Sequence, residues 1–405
     1  MRPPMNVPAT GLRSGTDVFG LLPAVLLTAV LGLVLWQDYG SRHLWVLLIG
    51  VGLGVTLLHG AYGFSGAWRR FIREGEGVGV RSNLLLFAVT SLLFFPLLGG
   101  AAGAELHPAL GPVGVSVAVG AFLFGIGMQL GGGCGSGTLF AVGGGNVRML
   151  LTLVFFVAGS LVGTAHLPWW TSLPGLGRVS LIQSFGWAPA LAGQLLVLAG
   201  LYGWVLRRER ARRGRVWPLL ASEPGQAPVA VRLLRGPWPL WWAVAGLALL
   251  NLATLWVAGH PWTITFAFGL WGAKVLAALG GEPAGWTYWS SGYAARALQD
   301  SVLADVTSLM DFGIILGAML AAGLAGRYAP AVTLNRAGVV TAVTGGLLMG
   351  YGARLAFGCN IGGLTAGLVS GSLHGWLWMV TGFAGAVVGV RARAWLGLDA
   401  PGAAR

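Results

Sequence analysis

The only two cysteines of this 405-residue chain sit in near-copies of one glycine-rich phrase, one copy in each half. The first copy runs from Ala121 to Phe140 around Cys134, the second from Gly346 to Thr365 around Cys359. Laid over one another at the interval that separates the cysteines, Leu123, Gly125, Gly127 and Leu130 meet Leu348, Gly350, Gly352 and Leu355. Gly133, Gly137 and Leu139 likewise meet Gly358, Gly362 and Leu364. A phrase repeated with one thiol at the same turn marks a duplicated half, and duplicated membrane proteins place a pore or binding site where the halves meet.

The membrane enters through composition. Hydrophobic residues make up 56% of the chain and charged ones only 9%, whereas a soluble domain carries about 25% charge. Apolar stretches of spanning length recur throughout: 18–37, 43–63, 83–103, 112–131, 148–166, 187–206, 238–258, 262–280, 306–326, 337–357 and 375–395. Each approaches the roughly 20 residues that cross a bilayer. The first lacks a small-residue cleavage site and is followed by further spans, so it reads as a span rather than a leader. Two shorter apolar stretches, 134–142 and 359–369, follow the cysteines and read as half-helices or re-entrant hairpins. Irregular backbone at that depth is tolerated only inside protein or along a cavity. The expected fold is an all-α polytopic membrane protein of two pseudo-symmetric halves. Its expected parts are an N-terminal transmembrane half 1–206, a basic cytoplasmic linker 207–236 and a C-terminal transmembrane half 237–405.

Charge sets the orientation. The formal net charge is +13, and Lys274 is the one lysine beside 24 arginines. The run from Arg207 to Arg215 places the linker in the cytoplasm, and Arg69, Arg70, Arg73 and Arg81 place the loop 64–82 beside it. Arg391 and Arg393 ask for a cytoplasmic C-terminus, yet five crossings after the linker put it outside. One expected crossing therefore does not cross, and the residues alone leave parallel and inverted halves both open. Loop arginines of this kind meet lipid headgroups; no dense basic and aromatic surface suits nucleic acid.

The cysteine turns are the best candidates for chemistry. A lone membrane cysteine is usually an inert small hydrophobe, but here both copies keep it at the mouth of a glycine-rich turn. Gly133, Gly135 and Gly137, with Gly358, Gly362 and Gly363, clear side chains from around the thiols and let backbone N–H groups face a cavity. The N-terminus of a half-helix suits an anion, and a thiol adds a soft, polarisable atom. Ser136 and Asn360, with Thr138, Asn146 and Ser370, either hydrogen-bond an oxyanion or cap the half-helices. Lys274 and Arg354 lie within apolar segments, where an ionisable residue suggests function. The plainer readings are a bridge from Lys274 to Asp305 or Asp311, and an Arg354 that snorkels to the interface. His374 and His59 stand alone and read as interface residues. No phosphate-binding loop, metal spacing or dense acidic relay is present, so neither cofactor nor metal is expected.

At these residues the chain resembles the YeeE/YedE family of sulfur-transport membrane proteins. Gly131-Gly-Gly-Cys134-Gly-Ser-Gly-Thr138 and Gly358-Cys359-Asn-Ile-Gly-Gly363 carry the resemblance. Tyr62-Gly-Phe-Ser-Gly66, Gly272-Ala-Lys274-Val and Ser370-Gly-Ser-Leu-His-Gly-Trp376 support it. The resemblance implies inverted halves with short re-entrant helices, and thiosulfate held transiently between Cys134 and Cys359. It also implies a soluble sulfur-carrier partner of the TusA type inside the cell. Further thiols along the path, present in relatives, are absent here, which leaves another sulfur species or a selenium compound open as substrate. The reading is an inner-membrane, multi-pass permease and not an enzyme, importing a small sulfur-containing anion. Its rivals are a thiol-redox or sulfurtransferase enzyme using both cysteines, and a less selective anion channel.

Overall fold

The computed structural model describes residues 15–219 and 228–398, apart from 102, 104, 329 and 331–334. Residues 220–227 of the expected linker, and both chain ends, lie outside the described residues. Helices dominate. The first half holds α1 (Val18–Asp38), α2 (Ser41–His59), α3 (Phe64–Glu74), α4 (Val78–Pro96), α5 (Val115–Gly131), α6 (Gly135–Gly143) and α7 (Val147–Thr171). A short α8 (Leu181–Phe185) leads to the long α9 (Trp187–Arg213). After the linker and α10 (Val229–Arg235) come α11 (Leu240–Ala258), α12 (Thr265–Ala278), α13 (Gly292–Gln299), α14 (Val306–Leu324) and α15 (Arg336–Leu355). A π-turn at Asn360–Thr365 runs into α16 (Ala366–Val369), and α17 (Leu373–Trp395) closes the series. A two-stranded antiparallel ribbon, β1 (Pro112–Gly114) with β2 (Gly175–Arg178), ties the start of α5 to the end of α7.

Packing repeats between the halves. α2 packs on α14 as α11 packs on α4, and α5 packs on α17 as α15 packs on α7. α6 rests on α14 as α16 rests on α4; α3 meets α17 as α12 meets α7. Even the flanking helices match, α1 lying on α14 and α9 on α4. In each of those two only 22% of the most apolar window is buried, against 67% in α14, so α1 and α9 form the lipid-facing rim. The second half carries an additional segment, 279–305 with α13, where the first has only the short turn 75–77.

Glycine makes the contacts at the centre close. A Cβ on Gly120 would stand 2.6 Å from Ala356 N and 2.7 Å from Gly352 O. One on Gly127 would stand 2.7 Å from Met349 N and 2.8 Å from Gly345 O. Rising numbers on α5 meet falling numbers on α15, so these helices cross antiparallel with backbone against backbone. Lipid tails give no hydrophobic drive for helices to associate, and small residues supply dispersion contacts instead.

Ten helical stretches among the described residues are long and apolar enough to cross a bilayer, one fewer than the sequence suggests. The expected crossing at 262–280 is the one that fails. Arg42, at the start of α2, donates to Val257 O (2.9 Å) and Ala258 O (3.0 Å) at the end of α11. At the other end Trp238 N donates to His59 O at 2.8 Å, so α2 and α11 run antiparallel. Gly50 meets Met310, and Gly54 meets Ile314, so α14 runs parallel to α2. The segment 259–305 therefore begins and ends at one end of the molecule. Its 14-residue α12 is too short to traverse and starts instead beside the Cys359 turn, where Thr263 borders Gly362. With that crossing removed, the C-terminal helix returns to the linker end, where Arg73, Arg208, Arg212 and Arg391 line one recess. The count and the arginines then agree.

Candidate functional site

Both cysteines occupy the N-cap of a buried half-helix, in the same extended conformation: Cys134 at φ −94, ψ −169, before α6, and Cys359 at φ −81, ψ −163, before the π-turn. Thr138 N donates to Cys134 O at 2.8 Å, and Gly363 N donates to Cys359 O, again at 2.8 Å. A left-handed residue precedes each turn at matching positions: Gly132 at φ 86 and Phe357 at φ 57. Gly358 follows at φ 146, where a Cβ would strike the backbone of Gly363. The chain thus breaks each crossing helix, reverses, and presents the thiol at the mouth of a new helical segment.

The two turns touch. A Cβ on Gly135 would lie 2.8 Å from Cys359 Sγ, so the absent side chain next to Cys134 is the space that the second thiol fills. A Cβ on Gly137 would stand 3.3 Å from Cys134 Sγ. Cys134 Sγ lies 3.6 Å from Ser136 Oγ, and Cys359 Sγ accepts from Ile361 N at 3.4 Å. Both cysteines are free and almost wholly buried. Gly133 packs over Thr138, while Gly363 lies under the indole of Trp378, whose Nε1 donates to Gly358 O at 3.1 Å. Gly362 borders Thr263. Trp378, Phe124, Phe156 and Phe268 form an aromatic row linking α17, α5, α7 and α12 in the core that holds both thiols.

Polar groups at this waist are incompletely paired. Asn360, beside Cys359, is fully buried, and neither its Nδ2 nor its Oδ1 has a partner. A buried amide without partners costs free energy, which a hydrogen-bonding passenger would recover. Thr138 Oγ1 donates to Cys134 O (2.8 Å), Asn146 caps α7 through Met149 N (3.1 Å), and Ser370 Oγ accepts from Ala109 N (2.9 Å). Those three have structural occupations.

Arg354 neither snorkels nor faces lipid. It is buried, with Nη2 donating to Thr265 O (2.7 Å) and Nη1 to Tyr288 Oη (2.6 Å). Gln129, its counterpart in the first phrase, donates Nε2 to Ser65 O at 3.2 Å. Both side chains hold the first turn of a short helix, α3 or α12, against the half-helix turns. Lys274 lies at the far end of α12 and donates to the carbonyls of Leu298 (2.8 Å) and Asp300; the bridge to Asp305 or Asp311 is not formed. Carbonyls left bare by the end of α13 attract the ammonium instead. Asp305 is occupied by Tyr293 Oη (2.7 Å) and by Ser308 N (2.8 Å) and Oγ (2.6 Å). Burial, then the Asp305 charge, push the Tyr293 phenol up, so it keeps its proton and donates. The histidines read as interface residues are interior. His374 Nδ1 accepts from Gly111 N at 3.1 Å and meets Ser372 Oγ at 2.6 Å, and buried His59 packs on Trp238.

Sequence reading noted the phrase Tyr62–Gly66 but placed neither it nor the segment after α11 at the waist. Ile264 approaches Gly135, Thr263 flanks Gly362, and Ser65 Oγ donates to Met128 O at 2.8 Å. Their signal is a helix broken by glycine or proline before a short apolar stretch: Gly60 to Gly63, and Gly259 to Pro261.

Ten bilayer-length helices among the described residues, enclosing two capped thiol turns, define a polytopic membrane protein of all-α architecture. The chain belongs to the Sulphur transport (YeeE/YedE) family, whose model matches residues 59–388. It is 27% identical to the thiosulfate transporter TsuA of Spirochaeta thermophila over 335 residues, 82% of this chain and 93% of that protein. To TsuA of Escherichia coli it is 23% identical over 372 residues, 86% of this chain and 93% of the relative. The "Probable transporter YedE" of Salmonella typhimurium matches at 30% over 149 residues, 37% of this chain and 36% of that one.

Proposed function

We propose that the protein is an inner-membrane permease that brings thiosulfate, or a related sulfur- or selenium-containing anion, into the cytoplasm between Cys134 and Cys359. The observation that carries this reading is the contact of the two turns, with Cys359 Sγ lodged against Gly135 and each cysteine capping a half-helix. A thiol offers a weak S–H donor and a soft contact to a sulfur atom, while the amides after it favour the oxyanion end. Gly133, Gly135, Ser136 and Gly137 form one side of the site, Gly358, Asn360, Gly362 and Gly363 the other. Arg354, behind the second turn, and Lys274, at the end of α12, add positive potential along the approach.

The halves, 1–206 and 237–405 about the linker 207–236, are inverted repeats in this reading. Equivalent helices α5 and α15 cross antiparallel, and Gly120 against Gly352 is matched by Gly127 against Gly345, as exchange of the halves requires. The TusA-type carrier meets the arginine-lined recess at the linker end. A redox enzyme is less well supported, because a reactive thiolate needs a cationic neighbour, whereas Cys134 Sγ meets Ser136 Oγ and Cys359 Sγ accepts from Ile361 N.

In proteoliposomes the chain is expected to take up thiosulfate in preference to sulfate. Cys134→Ala and Cys359→Ala are each expected to reduce uptake to background while reconstituting normally. Undiminished uptake by both variants removes the thiols from the path; a persulfide on either cysteine during turnover moves the protein into the enzyme class.

A further inference from the structure

One buried carboxyl has no part in the site so far. Asp311, in the second turn of α14, has no exposed surface, and neither carboxylate oxygen has a hydrogen-bond partner. It shares a face of α14 with Thr307, whose Oγ1 lies 3.5 Å from Thr263 Oγ1 beside Gly362, and with Ile315, whose carbonyl lies against Gly143 of α6. Residues four apart on a helix stand one above the other, so Asp311 sits between the Thr263 loop and α6.

Among the described residues, the elements packed on α14 bring no cation to the level of Asp311. At its level α2 presents Leu47 and Gly50. The titratable groups of α2 are Arg42, on the α11 carbonyls; His43, near the same end beside Tyr39; and His59, against Trp238. α1 brings Asp38 and its cap Asp17, α10 brings Arg232 and Arg235, α12 brings the carbonyl-bound Lys274, and α6 brings no titratable residue beyond its cap Cys134. On its own helix Asp305 is satisfied by Tyr293 and Ser308. Asp311 is the sixth residue of the 19-residue α14, and the sixth residue of its 19-residue counterpart α4 is Asn83, likewise buried and polar.

We propose that Asp311 is the proton-binding residue that couples anion import to proton entry, a step that rests on the permease reading above. An ionised carboxylate isolated from water and partners is strongly disfavoured, so the group holds its proton while the waist is closed. The carboxyl O–H is then a donor toward the path. Releasing that proton to the cytoplasm leaves a carboxylate, which takes its next proton from the outside. Each negative charge carried inward works against an inside-negative potential, and each proton travelling with it removes one.

The test uses the full chain in proteoliposomes, with radiolabelled thiosulfate, an entrapped pH-sensitive dye and the potential clamped by a potassium ionophore. The wild type is expected to import several-fold faster with acid outside and to acidify the lumen as it does so. Asp311→Asn is expected to keep uptake down a thiosulfate gradient but to lose both effects; Asp311→Glu is expected to keep them. Wild-type uptake indifferent to the pH gradient, or an Asn variant that still carries protons, overturns the proposal. Infrared difference spectroscopy gives a readout without transport. A protonated-carboxyl band in the wild type at neutral pH, lost in Asp311→Asn, is expected, and its absence overturns the proposal even if an Asn variant fails to fold. Absence of wild-type uptake with that band present sinks the thiosulfate reading instead.

Discussion

Gly135 shows how a residue with no side chain can shape a site. Its hydrogen is the wall of the space that holds Cys359 Sγ, and a methyl there would intrude to 2.8 Å. Gly135→Ala is therefore expected to lower uptake on the order of tenfold, about 1.4 kcal/mol on the barrier. The thermal midpoint in detergent should fall only modestly, since overpacking costs roughly 1–3 kcal/mol. Equal uptake by the alanine variant would mean that the two turns part before the anion passes. The cysteines and their glycines were legible in the sequence because a repeated phrase makes equivalent positions visible. Arg354 was not. Its charge suggested the interface or the path, but not that its guanidinium, like the amide of Gln129, holds a carbonyl in the first turn of a short helix. That carbonyl lies far away along the chain, and nothing local announces it. Asp311 was noticed only as a partner for Lys274, because hydropathy does not say which face of a helix a carboxyl occupies.

At the scale of elements, hydropathy located ten crossings and overcounted one. α12 is an apolar helix like its neighbours, so composition cannot reveal that it starts beside the Cys359 turn; the loop before it and the run of α14 decide that. Repeat detection was local for a related reason. Residues 279–305 break the constant interval between halves, and only the packing restores the match of α2 with α11 and α3 with α12. Helix seams give a direct test. A Cβ at Gly317 would overlap the carbonyl of Val51 on α2, whereas one at Gly200 on α9 meets nothing within 4 Å. Gly317→Leu is expected to abolish a monodisperse peak in size-exclusion chromatography, and Gly200→Leu to leave it unchanged. A tolerated Gly317→Leu would show that α2 and α14 do not pack this closely in the bilayer.

For the whole molecule, the removed crossing fixes the relation of its ends. The linker and the C-terminal helix lie together, joined by the recess of Arg73, Arg208, Arg212 and Arg391. Nearby, Arg81 Nη2 holds Glu209 at 2.8 Å and the Trp217 carbonyl at 2.6 Å. Reporters that fluoresce only in the cytoplasm are expected to be bright when inserted at residue 222 and when fused after residue 405. A dark C-terminal fusion beside a bright linker insertion would restore the eleventh span.

The antiparallel seam of α5 and α15 carries a mechanical meaning. Main chains that lie directly on one another leave no layer of side chains to act as a lubricating cushion, so one half cannot tilt far against the other without losing the contacts that join them. Opening then falls to the short broken pieces, the capped segments after Cys134 and Cys359 and the loops at Ser65 and Thr263. Such a machine works by small local yielding around a stiff spine, closer to a valve than to a rocking cradle.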